Sequence, residues 1–302
     1  MTKILFLLNP HSNEGQAKKN WQKLAKRYPV LPKNPVEVTI DSNLIEIIKQ
    51  HKPKIICVAA GDGTINAVAN AVLKLREKPV MAIIPFGFGN ALAYCLGVET
   101  IEKAIYVLNK KPQTITIDIL KTNLPQKEIS IFNTSVGFDA RIVHIRDNYR
   151  YIGLWSYFLP GIRGFFTHLE KEMILTIDKK VQLNATASSL VIANCPILGQ
   201  NFVIAPDAKL NDGILDCTLF STKYAYLTNL RLKGFKHPFY SEIGKVHFKA
   251  KHIKIEGEPF VQIDGDPAMI TNGLEVEIAP GQLTFLRNDK ENLDLLYPPF
   301  IA

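Results

Sequence analysis

At 302 residues, 47% of them hydrophobic, the chain is long and apolar enough for one large domain or two smaller ones, which excludes an intrinsically disordered protein. Its 36 Lys and Arg exceed its 28 Asp and Glu, so the formal net charge is +8. The four cysteines lie far apart without CxxC spacing, which excludes a disulfide framework and a zinc site and indicates buried thiols in a reducing compartment.

The first third of the chain alternates short apolar runs with amphipathic stretches. Strands are predicted at 3–9, 36–40, 55–61 and 80–86, and helices at 14–28, 42–50, 64–75, 90–96 and 101–109. Strands that alternate with helices pair in parallel, and ligands bind beyond the carboxyl ends of such strands. Residues 1–118 are therefore predicted to form an open domain of the α/β class.

From Lys111 onward the pattern changes to short runs rich in Thr, Ile and Val that alternate with a period of two. The runs are 114–120, 129–136, 173–177, 181–187, 189–195, 214–220, 245–255, 260–264, 274–279 and 283–286. Helical interruptions are predicted at Asp139–Leu169 and Ala225–Phe235. This pattern predicts a mainly antiparallel β-sandwich or barrel-like domain over 119–286. We expect the tail, 287–302, to pack back on the first domain.

No segment is expected to direct secretion or to cross a membrane. The N-terminal apolar run is too short for a signal peptide, and Pro85 and two glycines interrupt the uncharged run Val80–Val98. From Lys223 to Lys254 the sequence has eight basic residues and only one acidic residue, so this segment could attract an anionic membrane surface, polyphosphate or nucleic acid. A solvated mixed face is the plainer interpretation.

The aromatic run 149–166 has two interpretations. Aromatic clusters are most often ordinary core, and that interpretation comes first. The alternative is an apolar mouth for an acyl chain, since such side chains also line ligand pockets.

Three unusual loops follow predicted strands: NPHSNEG at 9–15, AGDGT at 60–64 and PFGFGNA at 85–91. Gly61 and Gly63 let a ligand approach the main chain, and the amides of the following helix suit phosphate. Because the Asp62 carboxylate repels phosphate, a cation is needed between them, which indicates a metal-nucleotide complex. Tight turns and helix caps are the alternative interpretation of these loops.

Several other nucleotide signatures are absent from the chain. It lacks GxxxxGK[ST], HRD and DFG, which excludes P-loop enzymes and protein kinases. Asn66 stands where the third glycine of GxGxxG would be, so the dehydrogenase hypothesis loses its main support.

Five segments, NPHSNEG, AGDGTINAVANAV, IPFGFGNALAYCLGV, APDAKLNDGILD and VQIDGDP, follow in this order over nearly the whole chain. Together they resemble the diacylglycerol kinase catalytic family, and they are most similar to its soluble bacterial lipid kinases, which are related to sphingosine and ceramide kinases. The resemblance implies an N-terminal nucleotide-binding domain, a C-terminal β-sandwich, and transfer of the γ-phosphoryl group of ATP to a lipid hydroxyl with the help of Mg2+.

The resemblance also implies site residues. Nucleotide contacts fall on three loops: Asn9, Pro10, His11, Ser12 and Asn13; Ala60, Gly61, Asp62, Gly63, Thr64, Ile65 and Asn66; and Gly87 and Phe88. Asp266 matches the catalytic general base, with Asp264 in support, and Asp62 would organise Mg2+. A second metal site would use the Asp212 side chain and the carbonyls of Lys209 and Ile214.

Without the resemblance, VQIDGDP predicts a two-residue Asp-Gly hairpin turn. The two interpretations are compatible, because a rigid turn is a suitable place for a general base.

Some positions depart from the family pattern. Phe88 replaces a threonine, Ala91 replaces an aspartate, and Asp266 stands where the usual motif has glutamate. Ala60 and Ala67 stand where a glycine and an acid are usual. Such losses can change turnover, nucleotide choice and lipid choice without changing the fold.

The residues leave three functions open. The first is an ATP- and Mg2+-dependent lipid kinase at the cytoplasmic membrane face, the second a non-catalytic nucleotide- or lipid-binding relative, and the third a kinase of a soluble substrate such as NAD. The order of the five segments and the aromatic run favour the lipid kinase. Its expected partners are a lipid substrate and, peripherally, an anionic membrane surface, without nucleic acid. A homodimer is an open alternative.

Overall fold

The computed structural model describes residues 3–87, 89–109, 113–125, 127–146, 155–198, 202–229, 231–232 and 243–288, with the backbone alone at 155–158 and 231–232. These residues form two compact units. The first comprises the described residues up to Ile117 together with those from Gly281, and the second runs from Asp118 to Pro280.

The first unit is a parallel sheet whose strands alternate with helices. Its elements are β1 (Ile4–Leu8), α1 (Ala17–Arg27), β2 (Val36–Glu37), α2 (Leu44–His51), β3 (Ile55–Ala60), α3 (Asp62–Leu73), β4 (Val80–Pro85), α4 (Ala91–Cys95) and α5 (Ile101–Asn109). The strands lie in the order β2-β1-β3-β4, and every neighbouring pair is parallel. The predicted α/β class is therefore confirmed.

The apolar runs of this unit form strands because both of their faces are buried. Five of the six residues of β3 and of β4 are buried, as is usual for parallel strands covered by helices. Trp21 of α1 is 1% exposed, lies 5.9 Å from the Phe6 ring, and donates from Nε1 to Pro32 O at 3.0 Å. A buried indole thus packs on the sheet and still satisfies its one donor.

Four helices of the first unit begin at residues other than those predicted, and two of these shifts are small: α2 begins at Leu44 instead of Ser42 and α4 at Ala91 instead of Asn90. α1 begins at Ala17 instead of Glu14, because Asn13, Glu14 and Gly15 all take positive φ angles, which end any helix. α3 begins at Asp62 instead of Thr64, because extended Gly61 already accepts the first helical hydrogen bonds on its carbonyl.

The second unit contains the remaining elements, of which the first and the last strand also extend into the first unit. They are β5 (Gln113–Thr122), β6 (Ile129–Ser130), β7 (Asn133–Gly137), α6 (Phe138–Arg146), α7 (Trp155–Thr167), β8 (Lys171–Ile177), β9 (Val181–Ala187), β10 (Ser189–Ala193), β11 (Ile197–Leu198), β12 (Phe202–Val203), β13 (Leu215–Phe220), α8 (Lys223–Asn229), β14 (Arg231–Leu232), β15 (Lys245–Ala250), β16 (His252–Glu256), β17 (Phe260–Ile263), β18 (Asp266–Met269) and β19 (Leu274–Arg287).

Two antiparallel layers face each other in this unit. One layer has the order β15-β13-β10-β7-β17-β18, and the other contains β9, β8, β16 and the first residues of β19. The core between them includes Leu190 and Leu215 from the first layer and Leu175, Ile253 and Val276 from the second, all without exposed surface. The predicted β-sandwich is confirmed. Beyond Pro280, β19 pairs in parallel with β4 of the first unit, Phe285 opposite Met81.

Helices cover the outer face of the six-stranded layer. Phe138 of α6 and Phe220 of β13 meet the Tyr226 ring of α8 edge-on, at 5.5 and 5.2 Å, and His168 lies 5.4 Å from the Phe138 ring. His168 is 2% exposed. Among the described residues, no helix combines the length and the apolar character that a bilayer crossing requires.

Three predicted elements of the second unit were wrong in extent. The run 129–136 forms two strands, β6 and β7, which belong to different sheets. The helix predicted over Ala225–Phe235 ends as α8 at Asn229, because Arg231 and Leu232 pair instead with β12. The run 245–255 is not one strand but two, β15 and β16, which belong to different layers. The carboxylate of Asp178 holds the break by accepting the N–H groups of Lys251 and His252 at 2.8 and 2.9 Å.

Other differences concern connections between elements. The predicted runs 274–279 and 283–286 form one continuous strand, β19. The helical stretch predicted over 139–169 contains α6 and α7, and the residues between them lie outside the described ranges. Of the predicted tail 287–302, Asn288 donates its N–H to Leu96 O at 3.0 Å, and 289–302 lie outside the described ranges.

Because the imidazole of His168 is buried, we expect the protein to lose stability in acid. Burial lowers the pKa of His168 to about 4, whereas the unfolded side chain titrates near 6.5, so protons favour the unfolded chain between these values. As the pH is lowered across this range, we expect the free energy of unfolding of the wild type to fall by up to about 3 kcal/mol more than that of His168→Phe. Denaturant titrations at several pH values measure it. Parallel curves for the two proteins would contradict the prediction.

Candidate functional site

Asn9 connects the loop after β1 to the loop after β3. Its Nδ2 donates to Thr64 Oγ1 at 2.8 Å, and its Oδ1 accepts the N–H of His11 at 3.0 Å. Its own backbone N–H donates to Ala59 O at 3.2 Å. One side-chain amide therefore holds the two loops together at the carboxyl edge of the sheet.

The loops after β3 and β4 meet backbone to backbone. A Cβ built on Gly87 would overlap the Gly61 Cα, and one built on Gly61 would lie 3.0 Å from the Gly87 Cα. Any side chain at 87 would push apart two strand ends that are paired through Ala60 and Pro85, so the fold itself requires this glycine. A Cβ on Gly63, in contrast, would meet no atom within 4 Å.

Asn90 fixes the shape of the loop after β4. Its Oδ1 accepts the Gly87 N–H at 3.0 Å and its Nδ2 donates to Gly87 O at 2.7 Å. Asn90 has φ +48, a left-handed conformation that asparagine adopts more readily than most residues. The next residue, Ala91, is buried and begins α4. Phe88, which the sequence assigned to nucleotide binding, lies outside the described residues. We call 9–15, 60–66, 85–87 and Asn90 the loop cradle.

Asp62 lies in the first turn of α3 within the loop cradle. Gly61 O accepts the N–H groups of Thr64 and Ile65, both at 3.1 Å, so the helix begins immediately after the strand. The half-buried carboxylate lies where the helix dipole favours negative charge, and first-turn N–H groups also suit phosphate oxygens. Because a carboxylate and a phosphate repel each other, this donor set fits a hard cation such as Mg2+ between them.

Most of the other predicted cradle residues support this backbone. Ile65 is fully buried, and Asn66 O and Oδ1 accept from Asn70 Nδ2 at 2.9 and 2.7 Å within α3. In the first loop the Ser12 N–H donates to Asn9 O at 3.2 Å. Pro10 is half-buried, whereas the side chains of His11 and Asn13 are exposed.

In the second unit, Asp264 and Gly265 form a two-residue turn between β17 and β18, with Ile263 opposite Asp266. Their φ angles are +51 and +82, which is the turn that Asp-Gly predicts. The Asp264 carboxylate accepts hydrogen bonds from Ser130 Oγ at 2.7 Å and from the N–H groups of Ile131 at 2.7 Å, Phe132 at 2.9 Å and Asn133 at 3.1 Å. Burial raises the pKa of the Asp264 carboxyl, and these donors offset part of that rise.

Asp266 is the first residue of β18, and its side chain is 47% exposed. Its Oδ2 lies 2.9 Å from Nζ of Lys127. An ion pair this exposed stabilises a protein by about 1 kcal/mol or less, so its main effect here is on orientation. An accessible carboxylate on a rigid turn is suited to accept a proton from a bound alcohol.

The loop predicted to hold a second metal is organised by a carboxylate that the sequence did not single out. Buried Asp118 accepts the Gly213 N–H on Oδ2 at 2.7 Å, and exposed Asp212 accepts the Ile214 N–H on Oδ1 at 3.2 Å. Across the described ranges no group of three or more His, Cys, Asp or Glu side chains could hold a metal. The ligand set Lys209, Asp212 and Ile214 combines one carboxylate with two carbonyls, and it stays a prediction.

The structure thus gathers the predicted nucleotide residues, Phe88 apart, on adjoining loops of the first unit, and it places Asp264 and Asp266 on one hairpin of the second. Sequence reasoning missed Asn90, Lys127, Asp118 and Gln262. Asn90 could have been found from its place after two glycines. Lys127 and Asp118 act on partners far away in the chain, so no local pattern indicates them. Gln262 contacts Gly265 only three residues on, but the residues that orient its side chain, Asn133 and Ser135, are distant in sequence.

Comparisons with known families cover both units. The model described as the diacylglycerol kinase catalytic domain matches residues 3–122, and the model described as the YegS C-terminal NAD kinase beta sandwich-like domain matches residues 133–287. The boundary between the two matches falls near the β5–β7 region, where the chain enters the β-sandwich.

Individual relatives agree with these matches. A protein of Shewanella frigidimarina named "Probable lipid kinase YegS-like" is 23% identical over 76% of this chain and 75% of its own length. A protein of the same name from Serratia proteamaculans is 30% identical over 53% of each chain. A crystal structure described as that of a diacylglycerol kinase from Bacillus anthracis str. Sterne superposes with a TM-score of 0.68 at 21% identity, covering 95% of this chain and 97% of the other.

The superposition shows a shared fold, and the two family models account for nearly all of the described chain in the order that the five sequence segments indicated. This chain belongs to the YegS-like lipid kinase family, in which a diacylglycerol kinase catalytic domain precedes a YegS C-terminal β-sandwich domain.

Proposed function

We propose that this protein transfers the γ-phosphoryl group of ATP to a hydroxyl group of a diacylglycerol-like lipid. The observation that carries the proposal is the loop cradle, in which two glycine loops touch backbone to backbone while Gly63 faces open space beside the Asp62 carboxylate. Such a surface offers amides to phosphate groups and does not need basic side chains. Membership of a lipid kinase family favours a lipid as the acceptor.

The chain's own residues have separate parts in the proposed reaction. The cradle amides bind phosphate oxygens, and the Asn9 to Thr64 hydrogen bond keeps two of the loops in one arrangement. Mg2+, when bound near Asp62, would neutralise charge on the phosphates. The acceptor oxygen attacks the γ-phosphorus, the bond to the β-phosphate oxygen breaks, and the hydroxyl proton moves to the Asp266 carboxylate. Lys127 holds that carboxylate in position.

Two isosteric variants test these assignments. Asp266→Asn removes the proton acceptor and Asp62→Asn removes the anionic ligand, so we expect each to lower kcat by about 100-fold or more while melting temperatures stay near that of the wild type. Asp41→Asn, at an exposed turn, is the matched control. Transfer of label from ATP to diacylglycerol in mixed micelles measures the effect.

The same assay identifies which molecule accepts the phosphoryl group when monoacylglycerol, sphingosine, ceramide and NAD are tested in parallel with diacylglycerol. Normal turnover in both aspartate variants would remove the proposed mechanism. Labelled NAD without any labelled lipid would overturn the choice of substrate class.

Gly63 allows a test of the cradle in which stability and binding change in opposite directions. Gly63 lies in a helix with open space in front of it, so Gly63→Ala should stabilise the free protein by up to about 1 kcal/mol. If phosphate approaches the backbone here, the new methyl group should raise the Kd for ATP at least fivefold. Gly161→Ala, a helical glycine of α7 with equally open surroundings, is the control. Unchanged ATP binding by Gly63→Ala, measured by calorimetry, would contradict this use of the cradle.

We further infer a peripheral position on the anionic cytoplasmic face of a membrane, through an apolar stripe on the second unit. The stripe consists of Leu159, Ile162, Phe166 and Leu169 on and just after α7, and of Tyr224 and Leu227 on α8. Phe166 and Leu169 are 78% and 72% exposed. The two helices are joined by the Phe165 and Tyr224 rings, whose centroids lie 5.1 Å apart.

Basic side chains accompany the stripe. Arg163 is exposed on α7, and Lys223 Nζ lies 5.0 Å from the Phe165 ring and donates to His168 O at 3.1 Å. Apolar side chains flanked by cations match the surface of a bilayer rich in anionic lipid. This arrangement supports a lipid bilayer as the partner of the stripe and accounts for only part of the basic segment 223–254.

An acidic substitution on the stripe should weaken membrane binding. Burial of one Phe side chain contributes about 2 kcal/mol, so Phe166→Asp should lower affinity for phosphatidylglycerol vesicles more than tenfold. Ile40→Asp, at a residue 98% exposed in the first unit, should leave affinity unchanged. Co-sedimentation with vesicles of phosphatidylglycerol or phosphatidylcholine measures both. Equal binding by the wild type and Phe166→Asp would exclude the stripe as the docking surface.

A further inference from the structure

A chain of buried hydrogen bonds leads away from the turn that carries Asp266. The Gly265 N–H donates to Gln262 Oε1 at 2.7 Å, and Gln262 Nε2 donates to Ser135 Oγ at 2.8 Å. Ser135 Oγ in turn donates to Asp139 Oδ2. Gln262, Ser135 and Asp139 are 2%, 0% and 6% exposed. None of these three side chains has a part in the phosphoryl transfer described above.

The direction of each hydrogen bond follows from the one before it. A backbone N–H can only donate, so the atom of Gln262 that faces Gly265 must be the oxygen. The Gln262 nitrogen then faces two acceptors, Ser135 Oγ and, at 2.7 Å, Asn133 Oδ1. Since Ser135 accepts from Gln262, its single hydrogen is left for Asp139. The glutamine amide therefore has one orientation only.

The side chains in this chain of hydrogen bonds come from two adjacent strands and the helix that follows one of them. Gln262 on β17 is directly opposite Ser135 on β7 in the antiparallel register, so their side chains share one face. Asp139 follows Ser135 by four residues, at the start of α6, where β7 turns into the helix.

The groups in this chain of hydrogen bonds stay paired whether Asp139 is ionised or protonated. Its Oδ1 lies 2.6 Å from Ser189 Oγ, which is also 3.1 Å from Val136 O. When Asp139 is ionised, Ser189 donates to it; when it is protonated, Asp139 can donate to Ser189 and Ser189 to Val136. Burial raises the pKa of Asp139 to about 6, and in both states Oδ2 still accepts from Ser135.

We propose that Gln262 is a positioning residue for the Asp266 carboxylate, that it acts through the Gly265 amide, and that Ser135 and Asp139 fix the orientation of its side chain. This inference rests on the proposed function for its catalytic meaning. Its structural content, control of the Gly265 amide by a buried side chain, can be tested without any activity.

The physical consequence follows from the position of Gly265 between the two aspartates of the turn. Asp264 anchors one side through the four hydrogen bonds that its carboxylate accepts, and the Gly265 amide is the other fixed point before Asp266. Loss of the Gln262 acceptor leaves that amide unpaired and lets the peptide between Asp264 and Gly265 rotate, which displaces Asp266 one residue later. A displacement of a catalytic group by about 1 Å can cost 100-fold in rate.

A double-mutant cycle tests the proposal by kinetics. Gln262→Met has a similar shape without hydrogen-bonding groups, and we expect kcat to fall 10- to 100-fold while the KM for ATP stays within twofold. Ser135→Ala should lower kcat about threefold alone and not at all in the Gln262→Met background, because the two act in series. Thr218→Val is the control: it removes a buried hydroxyl group that lies on the same sheet but takes no part in this chain of hydrogen bonds, so kcat should stay unchanged. Independent, multiplying effects of the two variants would overturn the proposal.

Amide hydrogen exchange at Gly265 tests it independently of any substrate. We expect Gln262→Met to accelerate exchange of this one amide at least tenfold, and Gln262→Glu, which keeps the acceptor oxygen, to retain much of the protection. If Gly265 exchanges equally in the wild type and in Gln262→Met, Gln262 does not hold the turn and the inference fails. If exchange responds but no lipid is phosphorylated by the wild type, the proposed function fails and the structural role of Gln262 stands.

Discussion

The β17–β18 turn of the second unit depends on one carboxylate that accepts four hydrogen bonds. Taking an ionised carboxylate out of water costs several kcal/mol, and each hydrogen bond to it returns about 1.5 to 3 kcal/mol. Asp264 is therefore stable in its place only while Ser130 and the backbone of 131–133 surround it. The hairpin turn cannot shift without leaving charge or amides unpaired, which makes it a firm base for the exposed carboxylate beside it.

The two units build their candidate sites by different physical means. In the first, the loop cradle is shaped mainly by backbone: Gly61 and Gly87 touch, and Asn9 and Asn90 hold loops through main-chain groups or a hydroxyl. In the second, buried polar side chains fix a turn. A backbone surface suits phosphate, which needs several amides at once, whereas a single proton acceptor needs one side chain held in one orientation.

Local sequence patterns predicted the parts of the site that depend on neighbouring residues. The Asp-Gly turn, the strand-to-helix bend at 60–64 and the alternation of strands and helices were all visible because each follows from two to twelve contiguous residues. Helix starts were less accurate, since the positive φ angles of 13–15 and the extended Gly61 depend on how the loop closes on its neighbours. The strand pairing of Arg231 and Leu232 overrode a helical pattern for the same reason.

The sequence by itself determined the fold class, the alternation of strands and helices in the first unit and the family, because periodicity, glycine spacing and five ordered segments are written in the chain. Only the tertiary structure decided that Lys127 contacts Asp266, that Asp118 organises the 209–214 loop, and that Gln262 orients the hairpin through Gly265. The physical reason is that hydrogen bonds and ion pairs act over about 3 Å in space, whatever the separation along the chain. Their partners are chosen by strand register and packing, which no short stretch of sequence encodes.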